Sequence, residues 1–166
     1  MRRARACVFC CETSRATNQI VHEDTQVIAM LDRNPRATKH FLVIPREHIP
    51  SIDDLTPDHY VLTMVVTFLI RFPPSVSHMI RTGKDILAKN GFVDDGIFGF
   101  HRSPFTSVPH VHLHCLGLPF LPVWNSLRFT ETMLPSYISA ENALAAVNMK
   151  RAIDSSFREQ IQTDKE

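Results

Sequence analysis

Apolar residues along the chain fall into short blocks separated by polar, glycine or proline breaks, and the spacing inside each block predicts an element. Gln19 to Asp32 reads as two short strands around a polar turn at Glu23-Asp24, where acidic side chains suit a tight reversal. Asp32 to Ala37 is a loop by composition, since Pro35 bars helix at Asn34 and removes a ladder donor. His40 then leads Phe41-Leu42-Val43-Ile44-Pro45, apolar enough for a central strand. A loop from Arg46 to Leu55 follows. Thr56 caps and Pro57 opens a helix that is apolar on nearly every side through Ile70 and is stopped by Pro73-Pro74. A second helix spans about Val76 to Lys89 and ends at Asn90-Gly91, a left-handed cap. Gly96 to His101 reads as a strand and Arg102 to Pro109 as a loop. Beyond Gly117, Pro119 and Pro122 stiffen a connection around Trp124. A last helix begins near Ser139, with Leu144, Val147 and Ile153 as candidates for its inner side, and Gln160 to Glu166 is expected to fray.

The densest chemistry lies in Ser107 to Leu116, where His110, His112 and His114 occupy every second position. On a strand the three rings share one face while Val111, Leu113 and Cys115 take the other. Three readings of the strip stand side by side: a solvated row of rings, a metal site, or a neutral imidazole attacking phosphorus beside rings that set its tautomer. Spacing does not separate the last two.

A length of 166 residues, 44% hydrophobic and 21% charged, describes one globular domain with a core. With no repeat or interdomain linker, an α+β fold is expected, with a mainly antiparallel sheet and helices packed on it. A net charge of +1 gives no bulk electrostatic pull towards nucleic acid, and Arg2, Arg3 and Arg5 read as a solvated tail. The apolar run Tyr60 to Ile70 is shorter than the roughly 20 residues that span a bilayer. Cys7 to Cys11 is too short for a secretory signal, so an intracellular protein, cytoplasmic or nuclear, is expected. Three cysteines bunched at positions 7, 10 and 11 do not form a disulfide framework. Cys7-Val8-Phe9-Cys10 has the gap with which paired thiolates chelate zinc, yet alone it is half a site. Asp32, ending an apolar strand, either grips a sugar hydroxyl pair or starts the turn, and taken alone the turn is favoured.

His110-Val111-His112-Leu113-His114-Cys115-Leu116 resembles the signature of the histidine triad family. The likeness extends from Cys7 to about Asn148, through Cys7-Val8-Phe9-Cys10, Ala29 to Pro35 and His40 to Ile49 in the family's order. Gly99-Phe100-His101, Pro104 to Ser107 and Leu118 through Trp124 are most similar to the branch of the third histidine triad nucleotide-binding protein and its plant relatives, more distantly to aprataxin. The resemblance implies a nucleotide hydrolase domain over 1–150, a helical extension or tail over 151–166, and cleavage at the α-phosphorus of purine nucleoside phosphoramidates or related adenylates, releasing AMP. It assigns His112 as the nucleophile of a nucleotidyl-histidine intermediate and His114 as the phosphate contact. His110 and His40 become the supporting rings of His112, Ser107 the hydroxyl near the leaving group, and Asp32 the ribose ligand, with His101 also at the nucleotide. It joins Cys7 and Cys10 to His48 and His110 as ligands of a structural zinc, and it calls for no magnesium.

Two departures stand out. An apolar insertion lies around 65–77, in the region that many relatives use for a twofold dimer. His101, Pro104 and Phe105 stand where the family often carries an asparagine and glycines, which opens the base and leaving-group preference. A nucleotide-binding adaptor with vestigial catalysis is the alternative to an enzyme, and the intact triad with Ser107 weighs against it.

Overall fold

The computed structural model describes residues 7–11, 17–55 and 76–163, so the expected helix from Thr56 to Ile70 and nearly all of the insertion at 65–77 lie outside it. Six strands form one antiparallel sheet: β1 (Ile20–Glu23), β2 (Val27–Leu31), β3 (Ala37–Pro45), β4 (Gly96–His101), β5 (Leu113–Phe120) and β6 (Tyr137–Ser139), in the order β1-β2-β3-β5-β4-β6. Two helices, α1 (Val76–Lys89) and α2 (Ala140–Thr163), pack on one face, giving the expected α+β fold. Among the described residues no helix is long and apolar enough to cross a membrane.

The β1–β2 reversal is made by Asp24, whose Oδ1 accepts the backbone N–H groups of Gln26 and Val27 at 2.7 and 2.8 Å. Its Oδ2 takes Nε2 of His22 at 3.0 Å and of His78 at 2.8 Å, tying the hairpin to the first turn of α1. Burial alone would raise the Asp24 pKa, but these four donors together hold it well below the usual carboxylate range. At the far end of α1, Gly91 has φ +89°, the left-handed geometry of a glycine cap.

Strand alternation sorts the side chains into two layers. Val27, Ala29, Phe41, Val43, Leu113 and Cys115 pack with Val76, Met79 and Leu87 of α1 and with Ala140, Ala143 and Val147 of α2. On the opposite face Ile28, Met30, Leu42 and Ile44 meet Phe9 from the N-terminal segment. The pairing of Leu42 with His114 puts the triad's last ring on that second face.

Four details differ from the expectation. β3 begins at Ala37 rather than His40, because Ala37 pairs with Phe120 and Lys39 with Gly117. β5 correspondingly runs past Gly117 to Phe120, and the Trp124 region is a 3₁₀ helix, Val123–Phe129. β6, too short to show periodicity, closes the sheet edge against β4. Ile153 is 62% exposed rather than inward.

Gly99 is fixed by close approach. A Cβ there would collide with the Tyr137 ring and hydroxyl and with the Ile138 carbonyl, at the point where β4 pairs with both β5 and β6. Gly99→Ala is therefore expected to cost about 1–3 kcal/mol by overpacking. Thermal unfolding checks this, and an unchanged Tm would remove the claim.

Candidate active site and metal cluster

The histidines lie where the second face of the sheet meets the loop before β5. Ladder pairing of this segment starts only at Leu113, so His110 and His112 sit on an extended lead-in rather than in the strand. Val111 N–H donates to the Ile49 carbonyl at 2.7 Å and holds the lead-in against the chain after β3. The alternation survives: Val111, Leu113 and Cys115 enter the helix-covered core, while the rings of His112 and His114 lie 4.8 Å apart on the other side.

Hydrogen bonds set the tautomers. His112 Nδ1–H donates to the His110 carbonyl at 2.7 Å, which leaves the lone pair on Nε2. The Arg36 backbone N–H points at His40 Nδ1 at 3.3 Å, so the His40 proton sits on Nε2 and is donated to His114 Nδ1 at 2.8 Å. The His114 proton is thereby placed on Nε2, which is buried and has no hydrogen-bond partner among the described residues. Behind the relay, Asp32 Oδ2 lies 3.4 Å from His40, and Oδ1 accepts the Asn34 N–H at 2.8 Å. His101 donates Nδ1–H to the Ser136 carbonyl at 3.3 Å and packs its ring 4.9 Å from that of His114.

Two adjoining cavities open here. One, about 200 Å³, is lined by Val8, Phe9, Met30, Leu31, Leu42, Val108 and His112, together with Asn18 and Arg33. The other, about 190 Å³, is lined by Asn34, Arg36, His40, His101, Phe105, Arg128 and Phe129. Asp32, Ser107 and His114 border both.

Burial is the main reason the rings resist protonation. It lowers His40 to about 4 against the pull of Asp32, and it lowers His101 despite its bond to Ser136. It also lowers His112 despite the His110 carbonyl, and holds His114 well below its ordinary value, helped there by the neighbouring rings and Arg128. A histidine depressed on folding contributes stability that is full above its unfolded pKa, about 6.5, and is lost as pH falls towards the folded value. The Tm should therefore drop between about pH 6.5 and 4. A Tm flat across that window would contradict neutral buried rings.

The His110 ring faces away from this relay. Its Nε2–H donates to the Pro45 carbonyl at 3.0 Å, which frees Nδ1 to face Cys7 Sγ at 3.4 Å, Cys10 Sγ at 3.5 Å and His48 Nδ1 at 3.3 Å. Cys10 Sγ is also 3.4 Å from His48 Nδ1. A tetrahedral zinc with bonds of about 2.0–2.1 Å to nitrogen and 2.3 Å to sulfur needs edges of about 3.3 Å between nitrogens and 3.5 Å from nitrogen to sulfur. The four distances given above match those edges, and all four donor atoms lie within 4.8 Å of one another. Holding the far nitrogen of a ligand histidine on a carbonyl is the usual outer support of such a site.

The sequence-derived residues thus separate into two groups. Asp32, His40, His101, Ser107, His112 and His114 gather at the cavities, and Cys7, Cys10, His48 and His110 form the cluster. Neither ring expected to support His112 does so. His40 bonds to His114 instead, and His110 reaches His112 through its main-chain carbonyl. Sequence reasoning missed Arg36, Arg128, Phe9 and Phe129 as cavity residues. Arg36 carried a signal, lying in the Asp32 loop; Arg128 did not, being brought in by the 3₁₀ segment.

Residues 6–69 match a family model described as scavenger mRNA decapping enzyme C-term binding. The chain is 38% identical over 148 residues to the bifunctional adenosine 5'-phosphosulfate phosphorylase/adenylylsulfatase HINT4 of Arabidopsis thaliana, covering 86% of this chain and 92% of that protein. It is 32% identical to the adenosine 5'-monophosphoramidase HINT3 of Xenopus tropicalis, covering 68% and 67%. Among solved structures, a HIT family hydrolase from Legionella pneumophila Philadelphia 1 superposes with a TM-score of 0.56 at 24% identity, over 78% of this chain and 99% of that one, a likeness of fold.

Proposed function

The chain belongs to the histidine triad family, and from that premise we propose that it hydrolyses adenylyl conjugates at the α-phosphorus through a nucleotidyl-histidine intermediate, releasing AMP. The nucleotide hydrolase class is that of its relatives, the phosphoramidase and the adenylylsulfatase. One observation carries the finer mechanism: the 2.7 Å bond from His112 Nδ1 to the His110 carbonyl, which leaves Nε2 as an unprotonated nucleophile.

In this reading the nucleoside occupies the apolar cavity beside Phe9, Met30 and Leu42, with Asp32 on the ribose hydroxyls. The α-phosphate sits at the shared rim, where His114 Nε2–H supplies a donor to a non-bridging oxygen. The leaving group lies in the second cavity, across the phosphate from His112, as in-line displacement requires. Ser107, on the rim of both cavities, would donate to the bridging atom. Water then attacks the adduct, and His112 departs as a neutral ring.

The Cys7, Cys10, His48 and His110 cluster is proposed to hold a structural zinc, which would tie the N-terminal segment to the sheet without an open position for chemistry. The function is tested by incubating the purified protein with adenosine 5'-phosphoramidate. AMP is the expected product, and absence of turnover there and with an adenylyl sulfate would overturn the reading.

A further inference from the structure

The second cavity carries two arginines, where the first carries Arg33 alone. Arg36 reaches it from the loop after β2 and Arg128 from the end of the 3₁₀ segment after β5, so the two guanidinium groups approach from different parts of the chain. Among the described residues neither is in an ion pair, whereas Arg46 and Arg102 are paired with Glu23 and Asp53. The one carboxylate on the rim, Asp32, is already engaged by the Asn34 N–H and lies against His40. The buried Nε2–H of His114, assigned above to the α-phosphate, borders the same space.

We infer that Arg36 and Arg128 are specificity residues that select an anionic leaving group, a tetrahedral oxyanion such as sulfate joined to AMP as a mixed anhydride, over an amine. The inference rests on the hydrolase reading above and sharpens its substrate class. Guanidinium groups present forked donors that match such an oxyanion, and they stabilise charge as it develops on the departing oxygen. Proton supply favours the same choice. An amine leaves a phosphoramidate only after accepting a proton, and with the described rings at this end held neutral by burial and arginine giving up none at ordinary pH, that proton would have to come through the weakly acidic Ser107 hydroxyl. A sulfate leaves without one.

In the first step His112 Nε2 forms the bond to phosphorus while the bond from phosphorus to the bridging oxygen breaks, and sulfate departs with that electron pair. In the second, water oxygen bonds to phosphorus, the N–P electron pair returns to Nε2, and the water's proton passes to solvent. No oxidant, metal or further reactant is consumed.

The test compares kcat/KM for adenosine 5'-phosphosulfate and adenosine 5'-phosphoramidate in the wild type, in the double variant Arg36→Gln/Arg128→Gln, and in the matching lysine double variant. The wild type should favour the phosphosulfate by about tenfold or more, and the glutamine variant should lower that ratio by about tenfold, with lysine restoring part of it. Because both substrates report on one protein sample, partial misfolding cancels from the ratio. A wild type that prefers the phosphoramidate overturns the inference and leaves the hydrolase reading standing, as does a ratio that the glutamine variant leaves within about twofold. If neither substrate is turned over, the hydrolase reading itself fails, and the inference with it.

Discussion

His112→Ala is expected to lower turnover of adenosine 5'-phosphoramidate by roughly a thousandfold or more while the protein stays folded and still binds AMP. The loss is large because His112, its Nε2 lone pair fixed by the 2.7 Å bond of Nδ1 to the His110 carbonyl, lines the cavity proposed for the nucleoside, whereas His101, held in the same way by the Ser136 carbonyl, lines the other cavity. His114 does not replace it, because His40 takes up Nδ1 and leaves Nε2 as a donor rather than a nucleophile. Binding survives because the apolar lining and Asp32 are untouched. Steady-state kinetics with titration of AMP by calorimetry separates the two effects. Near-normal turnover in the variant would remove the proposed nucleophile, and loss of AMP binding would mean that His112 mainly shapes the pocket.

The second large effect concerns metal. Purified protein should carry about one zinc per chain, and Cys7→Ser should lose it, since three remaining donors leave the tetrahedron open. Cys7 and Cys10 sit on a short segment that packs Phe9 against Met30, Leu42 and the His110 and His112 rings, and the metal would add a further anchor. At a hundredfold excess of free zinc over Kd, binding to the folded state alone contributes about 2.7 kcal/mol, a shift readily seen in thermal unfolding with and without chelator. Elemental analysis checks the stoichiometry. Metal-free protein whose Tm is the same with added zinc would refute the site.

Local pattern was enough to find the hairpin and α1, because each ends in a residue that acts on its immediate chain neighbours: the Asp24 carboxylate in the turn and Gly91 at its positive φ. The histidine strip was legible as a two-faced ribbon even though only its second half is paired. What stayed hidden depends on distant partners. β6 exists because β4 offers it an edge, and β3 gained three residues because Phe120 and Gly117 lie across from it. The same holds for the site. Spacing gathered the right rings, but which nitrogen each one offers was decided by carbonyls and N–H groups elsewhere in the chain, at Pro45, Arg36 and Ser136.

His110 serves two masters by two different parts of itself, its ring towards the cysteines and its carbonyl towards His112. The carbonyl belongs to every amino acid, so the support given to the nucleophile does not depend on the identity of the residue, only on the path of the main chain. Over evolutionary time such a chain could lose the thiols and the ring together and replace them with apolar packing, while the tautomer of His112 stayed as it is. The proposed reaction and the proposed metal site are thus separable, resting on different parts of one residue.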